Sequence, residues 1–178
     1  MRAIRQSLFV FGLMCASLGA WAGESPEDVV LAYLAVMKTD GAAAAAARYT
    51  HPDDCAELKN LLMPRIRRSF STPEDDFVKE TFGAQLALED LEAMPPSDFL
   101  AKFLWRSRVE AKSFKTPRFV GSEREGNVVR LTAVTRTTSM DGFTTDRRDV
   151  ITLKAYGDGW RMAMDDRLLR YAKLLIDQ

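Results

Sequence analysis

The apolar positions change period once along the chain, and the change divides it in two. From Ser25 to about residue 110 they recur at helical spacing, and from Ser113 they alternate. Ser25-Pro26-Glu27-Asp28 opens a helix: Ser25 is a good N-cap, Pro26 loses no bond in the first turn, and the two acids sit at the positive end of the dipole. Val29, Val30, Tyr33, Leu34 and Met37 follow on one face, and Asp40-Gly41 ends the segment. The alanine run before Arg48-Tyr49 predicts a short second helix over 42–49. Pro52-Asp53-Asp54 starts a third with Leu58, Leu61 and Leu62, which Pro64 is expected to close or kink. Thr72-Pro73-Glu74-Asp75 repeats the start signal ahead of Phe77, Val78 and Phe82. Leu86, Leu88, Leu91 and Met94 predict a further helix stopped by Pro95-Pro96. Ser97-Asp98 caps another, with Phe99, Leu100, Phe103 and Leu104 on one side.

Strands are expected over 113–123, 128–138, 145–156 and 160–164. Leu131 and Ala133 alternate with Arg130 and Thr132; Ile151, Leu153 and Ala155 alternate with Thr152 and Lys154; Trp160, Met162 and Met164 alternate with Arg161 and Ala163. Each strand thus has one apolar and one polar face, as in an antiparallel sheet covered on one side. The turns carry glycine, at Glu125-Gly126-Asn127, Asp141-Gly142 and Gly157-Asp158-Gly159, which suits direct hairpins. Leu168, Leu169, Ala172, Leu175 and Ile176 predict a closing helix. Helices first and a meander second make an α+β fold, with N-terminal helices packed on an antiparallel sheet of about four strands.

The first 22 residues have a different pattern. Arg2 and Arg5 precede an apolar run from Leu8 to Leu18, and Ala20-Trp21-Ala22 supplies a small-x-small cleavage site. The run falls short of the roughly 18–20 residues of a spanning helix. The expectation is a signal peptide cleaved after Ala22, a periplasmic protein starting at Gly23, and no membrane span after cleavage. Cys15 follows Met14 rather than a small residue and lacks a lipobox, so it reads as part of the apolar run.

Composition then narrows the chemistry. The 178 residues hold 25 basic and 25 acidic side chains; removing Arg2 and Arg5 leaves 23 basic against 25 acidic, a net charge of −2. That balance argues against nucleic acid as a partner. Cleavage also leaves Cys55 as the only cysteine, so no internal disulfide is expected, and the single histidine, His51, rules out a two-histidine metal site. No Gly-x-Ser-x-Gly elbow or glycine-rich phosphate loop occurs, and no cofactor or metal is predicted. His51-Pro52-Asp53-Asp54-Cys55 gathers ligand and nucleophile types, but the same residues make an ordinary helix start with Cys55 as a small hydrophobe. Asp40 and Asp165 lie at element ends and read as solvated caps. Arg65-Ile66-Arg67-Arg68, Arg147-Arg148, Arg167 and Arg170 read as solvated faces, with docking to an acidic protein as the sharper alternative.

The order of elements resembles the nuclear-transport-factor-2-like superfamily of α+β cones, closest to its small exported branch of lipoprotein-like and SnoaL-like domains. Ser25 to Val30 leading into Tyr33-Leu34 matches the opening helix, Lys38-Thr39-Asp40-Gly41 with the alanine run the second, and Gly157-Asp158-Gly159-Trp160 followed by Arg161-Met162 the C-terminal hairpin. The resemblance implies a curved sheet wrapped around the first helices with a pocket between them. In that superfamily the pocket serves isomerase and dehydratase chemistry, ligand binding, dimerisation or no known activity. The pocket candidates here are Tyr33, Met37, Phe103, Trp105, Phe119, Trp160 and Met162, all of which equally suit core packing. With no catalytic constellation in the sequence, the leading expectation is a non-catalytic binding module for a small apolar ligand, a protein partner or a second copy. The alternatives are an isomerase- or dehydratase-type enzyme using an Asp/Tyr pocket, and a periplasmic inhibitor or immunity protein.

Overall fold

The computed structural model describes residues 24–83, 86–105, 115–138 and 141–176. The predicted leader, 1–22, lies outside them, as do the first two residues of the first expected strand. The opening helix is Pro26–Thr39 (α1). Its Ser25 Oγ accepts the Asp28 N–H at 3.1 Å, and the Asp28 carboxylate accepts from Ser25 in return, a reciprocal cap that satisfies otherwise orphaned donors. Gly41, at φ 92°, turns the chain into Ala42–Tyr49 (α2), a conformation that a side chain would strain.

Pro52–Ser71 (α3) departs from expectation by running through Pro64. Pro64 and Asn60, whose carbonyl loses its partner, both lie on the exposed side, where water serves that carbonyl. The start signal at 72–75 also does something else. Those residues form a turn, and the next helix is only Phe77–Phe82 (α4). Asp75 is held by the Arg65 guanidinium at 2.5 and 3.2 Å and by the Phe77 N–H at 2.9 Å. Leu88–Ala93 (α5) follows where expected; Pro96–Phe103 (α6) starts one residue earlier than its predicted Ser97-Asp98 cap, with Pro95 at the N-cap and Pro96, which loses no bond there, in the first turn.

The strands are Arg118–Glu125 (β1), Val128–Thr138 (β2), Thr144–Tyr156 (β3) and Gly159–Met162 (β4), closed by Asp166–Ile176 (α7). The sheet is an open antiparallel meander in the order β1-β2-β3-β4, with a bulge between Phe119 and Gly121. The fold is therefore α+β: helices, a four-stranded antiparallel sheet and a C-terminal helix. No helix among the described residues is long and apolar enough to cross a membrane.

Among the described residues, two hydrophobic cores form. Val29 and Val30 of α1 pack on Val129, Leu131 and Leu153 of the sheet. A larger, helical core joins Leu58, Leu62 and Ile66 of α3 to Phe82, Leu91, Phe99 and Leu100, with Ala172 of α7 against it. Asp54, 4% exposed, ties the two layers: one carboxylate oxygen accepts the Lys154 ammonium at 2.5 Å and the other the Met164 N–H at 2.8 Å.

The Arg65–Asp75 pair gives the helical layer an acid sensitivity. The hydrogen bonds from Arg65, then from the Phe77 N–H, hold the Asp75 carboxyl below the usual carboxylate range. A carboxylate whose folded value is depressed stabilises the fold above its unfolded value, about 3.9, and loses that contribution as pH falls through the lower folded value. In urea melts across a pH series, Asp75→Asn should be less stable than wild type at neutral pH. The difference should shrink below about pH 4.

A cleft between the first helix and the sheet

Helix α1 crosses the apolar face of the sheet, and the register fixes what lies beneath it. Val129 pairs with Leu153, Leu131 with Ile151, Ala133 with Asp149 and Thr135 with Arg147, all on the face turned toward α1. The face grades from wholly apolar to polar along β2 and β3. Where bulk gives way to Ala133 and Thr135, α1 and the sheet stand apart around a cleft of about 330 Å³. Val30, Tyr33 and Leu34 line it from the helix, and Ala133, Thr135, Asp149, Ile151 and Met162 from the sheet. Thr137, Arg147, Lys115 and Pro117 complete the wall. The larger hollow of about 570 Å³ along α3 is a shallow surface of one helix, lined by Asp53, Ala56, Glu57, Asn60 and Leu61. In the cleft, three or more segments converge.

Tyr33 is set by its neighbours. Its ring meets Tyr49 of α2 edge-on, with centroids 6.3 Å apart. Burial pushes its phenol up, so the hydroxyl stays protonated and can donate. No described residue hydrogen-bonds that hydroxyl. Asp149, by contrast, is engaged: Arg147 donates to its Oδ1 from Nε at 3.0 Å and from Nη2 at 2.9 Å.

The seven expected pocket residues do not gather in one place. Tyr33 and Met162 line the cleft. Phe119 and Trp160 pack with Met162 on the same helix–sheet core but do not line the cleft, and Trp160 carries the Arg124 guanidinium 5.2 Å over its ring. Met37 is buried near the end of α1. Phe103 belongs to the helical core, beside Phe82 and Tyr171. Trp105 donates its indole N–H to the Thr81 carbonyl at 3.0 Å, and its ring closes over Gly83, where a Cβ would collide with it. Met164, another apolar candidate of the last strand, is buried in the helical core.

The His51–Cys55 cluster serves the architecture. His51 is the N-cap of α3: Nδ1 accepts the Asp53 N–H at 3.3 Å, and Nε2 lies 3.3 Å from the Ala155 carbonyl, which assigns the proton to Nε2. Cys55 is 1% exposed, and burial, then the Asp54 charge, pushes its thiol up to about 11. That is the reverse of an activated thiolate. No group of three His, Cys, Asp or Glu able to hold a metal occurs among the described residues. Asp40 and Asp165 are exposed: Asp40 ends α1, and Asp165 caps the start of α7, accepting the Arg167 N–H at 2.7 Å.

Lys115, Thr135, Thr137 and Asp149 are cleft residues that the sequence reading passes over, and Arg147, read there as part of a solvated basic face, lines the cleft as well. The signal is present. Continuing the alternation of Ile151 and Leu153 two steps back places Asp149 and Arg147 on the same face, and continuing Leu131 and Ala133 forward places Thr135 and Thr137 there. No family model, curated protein or solved structure matches the chain.

Proposed function

We propose that this chain is an exported, non-catalytic binding module of the nuclear-transport-factor-2-like kind, and that the cleft between α1 and the sheet holds a small ligand. The observation that supports it best is the cleft itself, where an apolar floor of Val30, Leu34, Ile151 and Met162 meets a few convergent polar groups. The order of elements, helices first and a four-stranded meander after, is in keeping with a cone. An isomerase-type enzyme is the second reading, favoured by Tyr33 and Asp149 lining the same cleft. Against it, the Asp149 carboxylate is committed to Arg147 rather than set in apolar surroundings as a general base would be.

Ligand binding to the folded state alone raises stability by about 2.7 kcal/mol at a hundredfold excess over the dissociation constant. Fractions of the small molecules extracted from the producing cell's periplasm should therefore include one that raises the melting temperature. A melting temperature unmoved by every fraction would contradict the binding reading.

A further inference from the structure

The donors and acceptors of the cleft are unequal, and the inequality selects a ligand charge. Tyr33 brings a hydroxyl with no hydrogen-bond partner among the described residues, Lys115 an exposed ammonium and Arg147 a guanidinium. Of the five N–H donors of a guanidinium, the bonds to Asp149 use two, leaving three. Asp149, the one carboxylate among the described lining residues, accepts both of those bonds on a single oxygen. Among the described lining residues, two cations against one anion leave one positive charge in surplus. The Thr135 and Thr137 hydroxyls can donate as well as accept.

From this we infer that the cleft takes an amphipathic monoanion: a small carboxylate whose head meets Arg147, Lys115 and the Tyr33 hydroxyl while its apolar body lies on Leu34, Ile151 and Met162. The inference rests on the cleft being a ligand site and adds the charge and polarity of the ligand. A guanidinium matches a carboxylate geometrically as well as electrostatically, and such charge-assisted bonds are about twice as strong as neutral ones. A neutral head leaves the surplus charge unmatched, and an amine meets it with the same sign. A dianion overshoots it.

The test compares three probes with one apolar body: naphthylacetate, naphthylethanol and naphthylethylamine, titrated by NMR at equal ionic strength. Wild type should bind the acid at least about tenfold more tightly than the alcohol, and the amine most weakly. Arg147→Gln should bring the acid to the level of the alcohol. It should also improve the amine, because Asp149 then loses its partner. Circular dichroism and a thermal melt establish that the variant is folded, and Lys115→Met, at an exposed position, repeats the test without touching the ion pair. If the alcohol binds wild type as tightly as the acid, the charge assignment fails while the binding reading stands. If none of the three binds, both fall. A preference for the acid that survives in both variants would place the anion elsewhere and overturn the inference.

Discussion

Phe99→Ala should destabilise the protein by about 3–5 kcal/mol, the cost of removing a large aromatic side chain from a closed core. Phe99 is fully buried on α6, with its ring 5.1 Å from that of Phe82. The helical core around it draws on α3, α4 and α5, and α6 itself packs chiefly on α2 and α3. They cannot collapse into the space without moving together, so the void persists. Urea denaturation read by circular dichroism measures the loss. A cost below about 1 kcal/mol would mean that the helical layer is not packed as described.

Asp54→Ala should cost about 1–3 kcal/mol, by stranding buried polar partners rather than by opening a cavity. Its carboxylate is the acceptor for the Met164 N–H and the Lys154 ammonium, 110 and 100 residues further along the chain. The Lys154 side chain is 37% exposed and regains water when released. The buried Met164 N–H has no such recourse, and most of the cost falls there. Asp54→Asn keeps an acceptor oxygen and should be milder. If the two variants lose equal stability in urea, the charge rather than the acceptor is what matters at this position.

These two residues also mark how far the sequence could be read. Helix starts were legible wherever the cap is local: Ser25 with Asp28 announces α1 within four residues, and Phe99 and Leu100 announce a buried face. Strand edges were legible at the glycine turns that separate alternating runs; the start of β1, expected at 113 and found at Arg118, and the end of β4, expected at 164 and found at Met162, have no such turn to mark them. Asp54 looked like an ordinary first-turn acid, since nothing nearby in sequence reveals a partner a hundred residues away. Asp75 was read as a helix opener, yet Arg65, ten residues earlier, recruits it into a turn. Pro64 was expected to end α3, but a proline on the solvent side of a helix leaves its orphan carbonyl to water.

The cleft was legible in part, for the same reason. Tyr33 and Met162 came from apolar periodicity and do line the cleft. Phe103 and Trp105 came from the same reasoning and belong to the helical layer, because periodicity finds buried faces without saying which core they enter. Asp149 was passed over, and Arg147 was read only as a solvated basic face, because the alternation was followed only where it was apolar. Their position in β3 makes them the polar continuation of an apolar face, which is the arrangement a ligand-bearing cleft requires.

The central claim is that the space between α1 and the sheet is occupied by a ligand. Its most direct test is native mass spectrometry of the protein purified gently from the cells that make it, alongside Thr135→Trp. Thr135 is half-buried on the cleft wall, where an indole would fill the space. The account predicts a reproducible small-molecule adduct on the wild type that is missing from a folded Thr135→Trp protein. The same adduct on both proteins, or a bare wild type, would contradict it.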